Sequence, residues 1–343
     1  MLDVTIAGWA ATIGLIAGLF AVDFFASRPG HAHTVGFREA AIASIFFVSV
    51  AIGFGIAFGL IAGWDHGAEY FAGYIVEKSL SVDNLFVFVV IMSTFAVPPE
   101  HQQRLLTFGI LAALVMRAVF IALGAALISA FSFMFLIFGL LLVTTAIQLF
   151  RHRDQDPDID DNAVVRLTRR AIPVTRAYDG GRMFTRLDGR RAATPLFVAF
   201  VAIGSSDLLF ALDSIPAVFG VTEEAFIVFA ANAFALLGLR ALYFLVTGLL
   251  DRLVYLSSGL SLILLFIGVK LLLHFGHLQN DAIPEIATST SLLVILGILA
   301  VTVGASLTKA RRDPGARAHA GSLRDRRAAS RRQRTTEGED AAG

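Results

Sequence analysis

Nine long apolar stretches divide this chain, and the loops between them alternate in charge. A helix needs about 20 predominantly apolar residues to cross a bilayer. On that measure the sequence predicts spans at 4–26, 39–63, 70–97, 105–129, 132–150, 195–219, 224–250, 254–274 and 286–308. One set of loops holds Arg28 and Arg38, then Arg104, then the arginines of 151–194, then Arg252, then a basic tail. The opposite set reads WDHGAE, the turn near Ser129, VTEE and HFGHLQNDAIPE, and carries no Lys or Arg. Lys and Arg are retained on the cytoplasmic side of membranes. The pattern therefore predicts an all-α, multi-pass protein of the cell membrane, N-terminus outside and C-terminus cytoplasmic. Composition points the same way, with 56% apolar and 16% charged residues against about 45–50% and about 25% in soluble domains. The first apolar run lacks a basic n-region and reads as a retained span rather than a signal peptide.

Charges inside these spans are the informative exceptions. The third span reads VEKSLSVDNLFVF, with Glu77, Lys78, Asp83 and Asn84; the sixth reads GSSDLLFALDSIPAVF, with Asp207, Asp213, Ser214 and Pro216. An acid at the bilayer centre costs roughly 2.5–3.5 kcal/mol on insertion scales, so such residues mark ion or proton paths. The oxygens of Glu77, Asp83, Asn84, Asp207, Asp213 and Ser214 form a hard donor set suited to Mn²⁺, Mg²⁺ or Ca²⁺. The chain has no cysteine, which excludes thiolate metal sites, disulfides and Cys nucleophiles. Residues six apart on a straight helix point away from each other, so Glu77 and Asp83 converge on one ion only if the helix breaks or two helices contribute. Pro216 is expected to free backbone carbonyls near Asp213. Lys78, Arg117, Arg240 and Lys270 also lie in spans and are read as charge partners of the acids. Asp23 and Glu39 are weaker candidates, and His66, His274 and His277 read as solvated loop residues.

The order of polar residues reads as an internal duplication. The spacing Glu77-x5-Asp83-Asn84 matches Asp207-x5-Asp213-Ser214; Arg117 matches Arg240; and alignment of the following helices pairs Gly139 with Gly259 and Gln148 with Lys270. Three spans per unit is an odd number, so the copies insert in opposite senses, an arrangement that places transport sites at the midplane. The organisation is then 1–68 with two N-terminal spans, 69–150 and 195–275 as the repeats, 151–194 as a cytoplasmic loop joining them, 276–308 as the last span, and 309–343 as a tail expected to be disordered. The run DPDIDD in the loop lacks the Gly and terminal Glu of an EF-hand.

The segments EKSLSVDNLFVF, FGILAALVMRAVF and SSDLLFALDSIPAVFG closely resemble the TerC family of integral membrane proteins, from about Asp23 to Lys270. That family includes tellurium-resistance proteins and Alx-type manganese exporters and is related to the LysE-like exporters. The resemblance implies nine helices with an inverted three-plus-three repeat. It also implies export of a divalent metal, Mn²⁺ first, through the acidic motifs. The chain departs from the family at Gln148, where Lys is common. The expectation is an ion exporter, not an enzyme, with no permanently bound cofactor. Its partners would be a divalent metal ion and membrane lipid, with no nucleic acid; coupling would be to protons or sodium, since no GxxxxGK[ST] motif is present. Alternatives are a monovalent cation/proton antiporter, an accessory protein for tellurium resistance or metal loading of exported enzymes, and, less in keeping with such deep acids, a hydrolase of lipid phosphates.

Overall fold

A computed structural model describes residues 4–26, 37–151, 163–175, 178–187, 190–246 and 254–312. The DPDIDD run and the tail beyond 312 lie outside them. The described residues form α1 (Ile6–Ala26), α2 (Phe37–Ala62), α3 (Trp64–Thr94), α4 (Pro99–Ala130), α5 (Met134–Arg151), α6 (Ala163–Ala171), β1 (Phe184–Leu187), β2 (Arg190–Ala193), α7 (Pro195–Phe219), α8 (Ala225–Leu236), α9 (Leu239–Val246), α10 (Leu256–Gln279) and α11 (Thr288–Arg312). Among the described residues, eight helical segments are long and apolar enough to cross a membrane, with α8 and α9 counted as one. Helix α3 is different in kind. It has 31 residues and carries Asp65, Glu69, Glu77, Lys78 and Asp83, and at 1.5 Å per residue it spans about 46 Å. Such a helix is tolerable in a membrane only if protein surrounds it, and α3 packs against α2, α7, α8, α10 and α11.

Lipid-facing surface is supplied by the other helices. Ile13, Ile45, Val119, Leu140, Leu293 and Val301 are large, apolar and exposed. Inside, one apolar core gathers Val76 and Leu80 of α3 with Ala211 and Ile215 of α7, and a second gathers Leu85 and Phe88 with Ala199 and Ile203. Going along α3 the first core precedes the second; along α7 the order reverses, so the two helices run antiparallel. Between the cores lie Ser81, Asp83 and Asn84 on one helix and Ser205 and Asp207 on the other, all buried.

The helix pairings have a regularity of their own. Helix α3 packs on α8 and α7 on α4, while α5 with α10 and α3 with α7 form two further pairs. Exchanging α3 with α7, α4 with α8–α9 and α5 with α10 maps these pairings onto one another. Gly139 and Gly268 sit where α5 meets α10: a Cβ on either would stand 3.0 Å from the other's carbonyl oxygen. Gly259, paired with Gly139 in the repeat alignment, faces Thr302 of α11.

Two further expectations are revised. Pro216 does not unwind α7, which continues to Phe219 with the Pro216 carbonyl accepting from the Gly220 N–H. Three residues from the helix end, proline removes one bond without breaking the rod. The break falls in the next span, where Leu237 is extended and Gly238 has φ 76°. The loop 151–194 is also more than a linker. It holds α6 and an antiparallel hairpin, with Tyr178 Oη donating to the Phe95 carbonyl at 2.6 Å.

Candidate ion site between the repeats

Arg117 lies mid-helix in α4 with none of its surface exposed. A buried guanidinium requires counter-charge, and it finds two. Its Nε and Nη2 donate to the two oxygens of Asp207 of α7 at 3.3 and 2.9 Å, while Nη1 donates to Glu77 Oε1 of α3. The fork geometry suits a planar guanidinium. Asn84 completes the cluster when its amide is turned to satisfy both neighbours, the oxygen then accepting from Arg117 Nη2 at 3.1 Å and the nitrogen donating to the Leu80 carbonyl at 3.1 Å. Three helices are joined by one residue. Four of the ten sequence-selected residues therefore meet here.

The remaining motif residues stand around that cluster rather than in it. Asp213 accepts a hydrogen bond from Thr145 Oγ1 of α5 at 3.0 Å. Asp83 is buried with Oδ1 unpartnered, and so are Ser214 Oγ, Ser81 Oγ and Glu77 Oε2. Each buried oxygen left without a partner costs about 1–3 kcal/mol. Asn232 of α8 is buried with both side-chain polar atoms unpartnered; it was not selected from sequence, because one amide in an apolar helix is a weak signal. Among the described residues, no three His, Cys, Asp or Glu side chains gather closely enough to hold a metal. Arg117 occupies one oxygen of Glu77 and both of Asp207, leaving Glu77 Oε2, Asp83, Asp213 and the neutral oxygens as donors.

Of the other three expected charge partners, Arg240 does pair with an acid, though not with one of the two motifs. Lys78 Nζ donates to the Ala235 carbonyl at 3.0 Å, not to an acid. The last carbonyls of a helix lack intrahelical donors and carry the negative end of its dipole; the break after α8 creates such an end, and Lys78 caps it. Arg240, on α9 beyond the break, pairs with Asp23 of α1 at 2.8 Å. Lys270 lines a cavity of about 490 Å³ at the end of the bundle where α7 turns into α8. His66 and His274, read as solvated, lie against carboxylates at that cavity: His66 with Glu69 at 3.3 Å, His274 with Glu223 and Glu285 at 3.0 and 2.7 Å. These residues lie too far apart in sequence for spacing to reveal the cluster.

Comparison with known proteins adds relatives. The profile of the integral membrane protein TerC family matches residues 62–314. An uncharacterised membrane protein of Mycobacterium tuberculosis is 47% identical over 320 residues, covering 88% of this chain and 79% of the relative. The thylakoid membrane protein TERC of Arabidopsis thaliana chloroplasts is 45% identical, covering 73% and 66%. The protein Alx of Escherichia coli, named provisionally as a membrane-bound redox modulator, is 36% identical, covering 86% and 92%. No solved structure matches.

Proposed function

The chain belongs to the integral membrane protein TerC family, and on that premise we propose that it exports a hard divalent cation, Mn²⁺ foremost, across the cell membrane. The observation that carries this reading is the set of unpartnered buried oxygens, those of Ser81 and Asp83 between the two apolar cores and those of Glu77 and Ser214 beside residues of the first core. Oxygen donors without protein partners, set beside two carboxylates and no thiol or imidazole, suit a hard cation as substrate. Arg117 holds α3, α4 and α7 together and neutralises part of the acid charge. Carboxylates bind metal only when deprotonated, so entering protons expel the ion, and proton exchange is the coupling this site supports. The pairings preserved on exchanging α3–α5 with α7–α10 support an inverted repeat with its site between the halves. In this reading the N-terminus is outside, the C-terminus is cytoplasmic, and the protein performs no covalent chemistry.

A second reading has its own observation. With Arg117 bonded to Glu77 and Asp207, one acid remains in each half, Asp83 and Asp213. Two carboxylates suit a monovalent cation exchanged for protons. Thiol redox chemistry, which the name of the Escherichia coli relative would suggest, has no cysteine to act through in this chain.

Flux of ⁵⁴Mn²⁺ into inside-out vesicles, with and without an imposed proton gradient, tests the proposal. Uptake that follows the gradient and is competed by other hard divalent ions is expected. Gradient-driven Na⁺ movement without Mn²⁺ movement would favour the antiporter.

A further inference from the structure

The cavity at the α7–α8 end of the bundle is crossed by one histidine. His274, near the C-terminus of α10, has Nε2 3.0 Å from Glu223 Oε1 in the α7–α8 turn and Nδ1 2.7 Å from Glu285 Oε1 in the α10–α11 loop. Both ring nitrogens thus face carboxylates on different loops. A neutral imidazole donates from one nitrogen only, and the other presents a lone pair. Only the imidazolium can donate to both acids, so the arrangement is complete with one added proton. The Phe135 ring of α5 packs edge-on against the imidazole with centroids 4.7 Å apart, fixing its plane.

We propose that Glu223, His274 and Glu285 form a proton-binding clasp across the mouth of this cavity. With His274 protonated, the α7–α8 turn and the α10–α11 loop are both tied to α10. With it neutral, one carboxylate faces a lone pair and its tie is released. The ligand is a proton, and the site is separate from the buried layer between the repeats, so the inference does not depend on which ion the protein moves.

The surrounding charges decide the direction. Lys270 of α10 and Glu69 of α3 line the same cavity, with His66 and Glu224. Lys270 disfavours a second positive charge; Glu69 and Glu224 favour one. His66 lies on Glu69 at 3.3 Å, an oxygen that also accepts from Thr222 Oγ1 at 2.8 Å, so that contact persists whether or not His66 is charged. The hydrogen bond from His274 holds the Glu223 carboxyl below its usual range, against burial, which acts the other way. The Glu223 arm therefore forms above that lowered range and is lost only in stronger acid. The clasp is closed from there up to the titration of the imidazole and opens as pH rises through it.

Hydrogen exchange of the intact chain in lipid nanodiscs, without metal, tests this. The segment whose acid faces the lone pair, 220–224 or 280–288, should exchange about tenfold faster at about pH 9 than at about pH 6 after correction for intrinsic rates, the scale of one lost hydrogen bond to a charged group, while the other holds. His274→Gln should remove that pH response and leave both segments fast at either pH. Glu285→Gln, an exposed change that spares the fold, should remove the response from both segments, because its amide N–H can meet the neutral ring's lone pair while Glu223 keeps the ring N–H. A parent with no pH response in these segments, or an unchanged response in either variant, would overturn the clasp. Because no metal is present, failure of the Mn²⁺ reading leaves this measurement unaffected.

Discussion

At the scale of the residue, the account turns on which buried charges are held and by what. Arg117→Ala leaves Glu77 and Asp207 buried without their shared cation, and breaking a buried pair in this way costs roughly 3–5 kcal/mol. The expected outcome is a large loss of folded protein in membranes and a lower unfolding temperature. Arg117→Lys should recover only part, because a point charge cannot reproduce the fork on Asp207; full recovery would show that net charge alone is needed. Lys78→Met should cost about 1–3 kcal/mol by leaving the Ala235 carbonyl unsatisfied, read as a drop in thermal stability. That these charges sit inside apolar helices was legible in sequence, since a charge in an apolar run stands out. Their partners were not. Arg117 and Arg240 look equivalent along the chain, yet one meets Glu77 and Asp207 and the other Asp23.

That difference arises at the scale of the element. The span expected at 224–250 is broken after Leu236 and resumes at Leu239, which re-aims everything beyond it, Arg240 included. Gly238 makes the break possible: its φ is 76°, and a Cβ there would stand 2.8 Å from the Phe47 Cβ of α2. Gly238→Ala therefore meets both a left-handed backbone, costing about 1–2 kcal/mol, and a clash. It should lower thermal stability by more than Lys78→Met does; a neutral effect would mean that the break is not built in. Apolar run length revealed the spans on either side but not this interruption, because LLGL is as apolar as the helices it separates. The register of α5 on α10 was hidden for the same reason. Many offsets align one leucine-rich helix with another, and the close approach of Gly139 to Gly268 is a tertiary fact.

At the scale of the whole molecule, two polar layers are stacked in one bundle: an arginine-centred layer between the apolar cores and a histidine-clasped cavity at one end. Loop charge predicts which end faces outward. With cysteines introduced into this Cys-free chain at Ser129 and Leu167, an impermeant thiol reagent on intact cells should label the first and not the second. The reverse pattern would invert the topology. The central claim, that the buried oxygens between the halves bind the exported ion, is tested most directly by ⁵⁴Mn²⁺ flux into inside-out vesicles carrying Asp83→Asn or Asp213→Asn. Each substitution keeps the side-chain shape and leaves the Arg117 cluster intact, so both variants should insert at the parent's abundance. The account predicts that each abolishes gradient-driven Mn²⁺ movement; undiminished Mn²⁺ flux in either variant, at normal abundance, would contradict it.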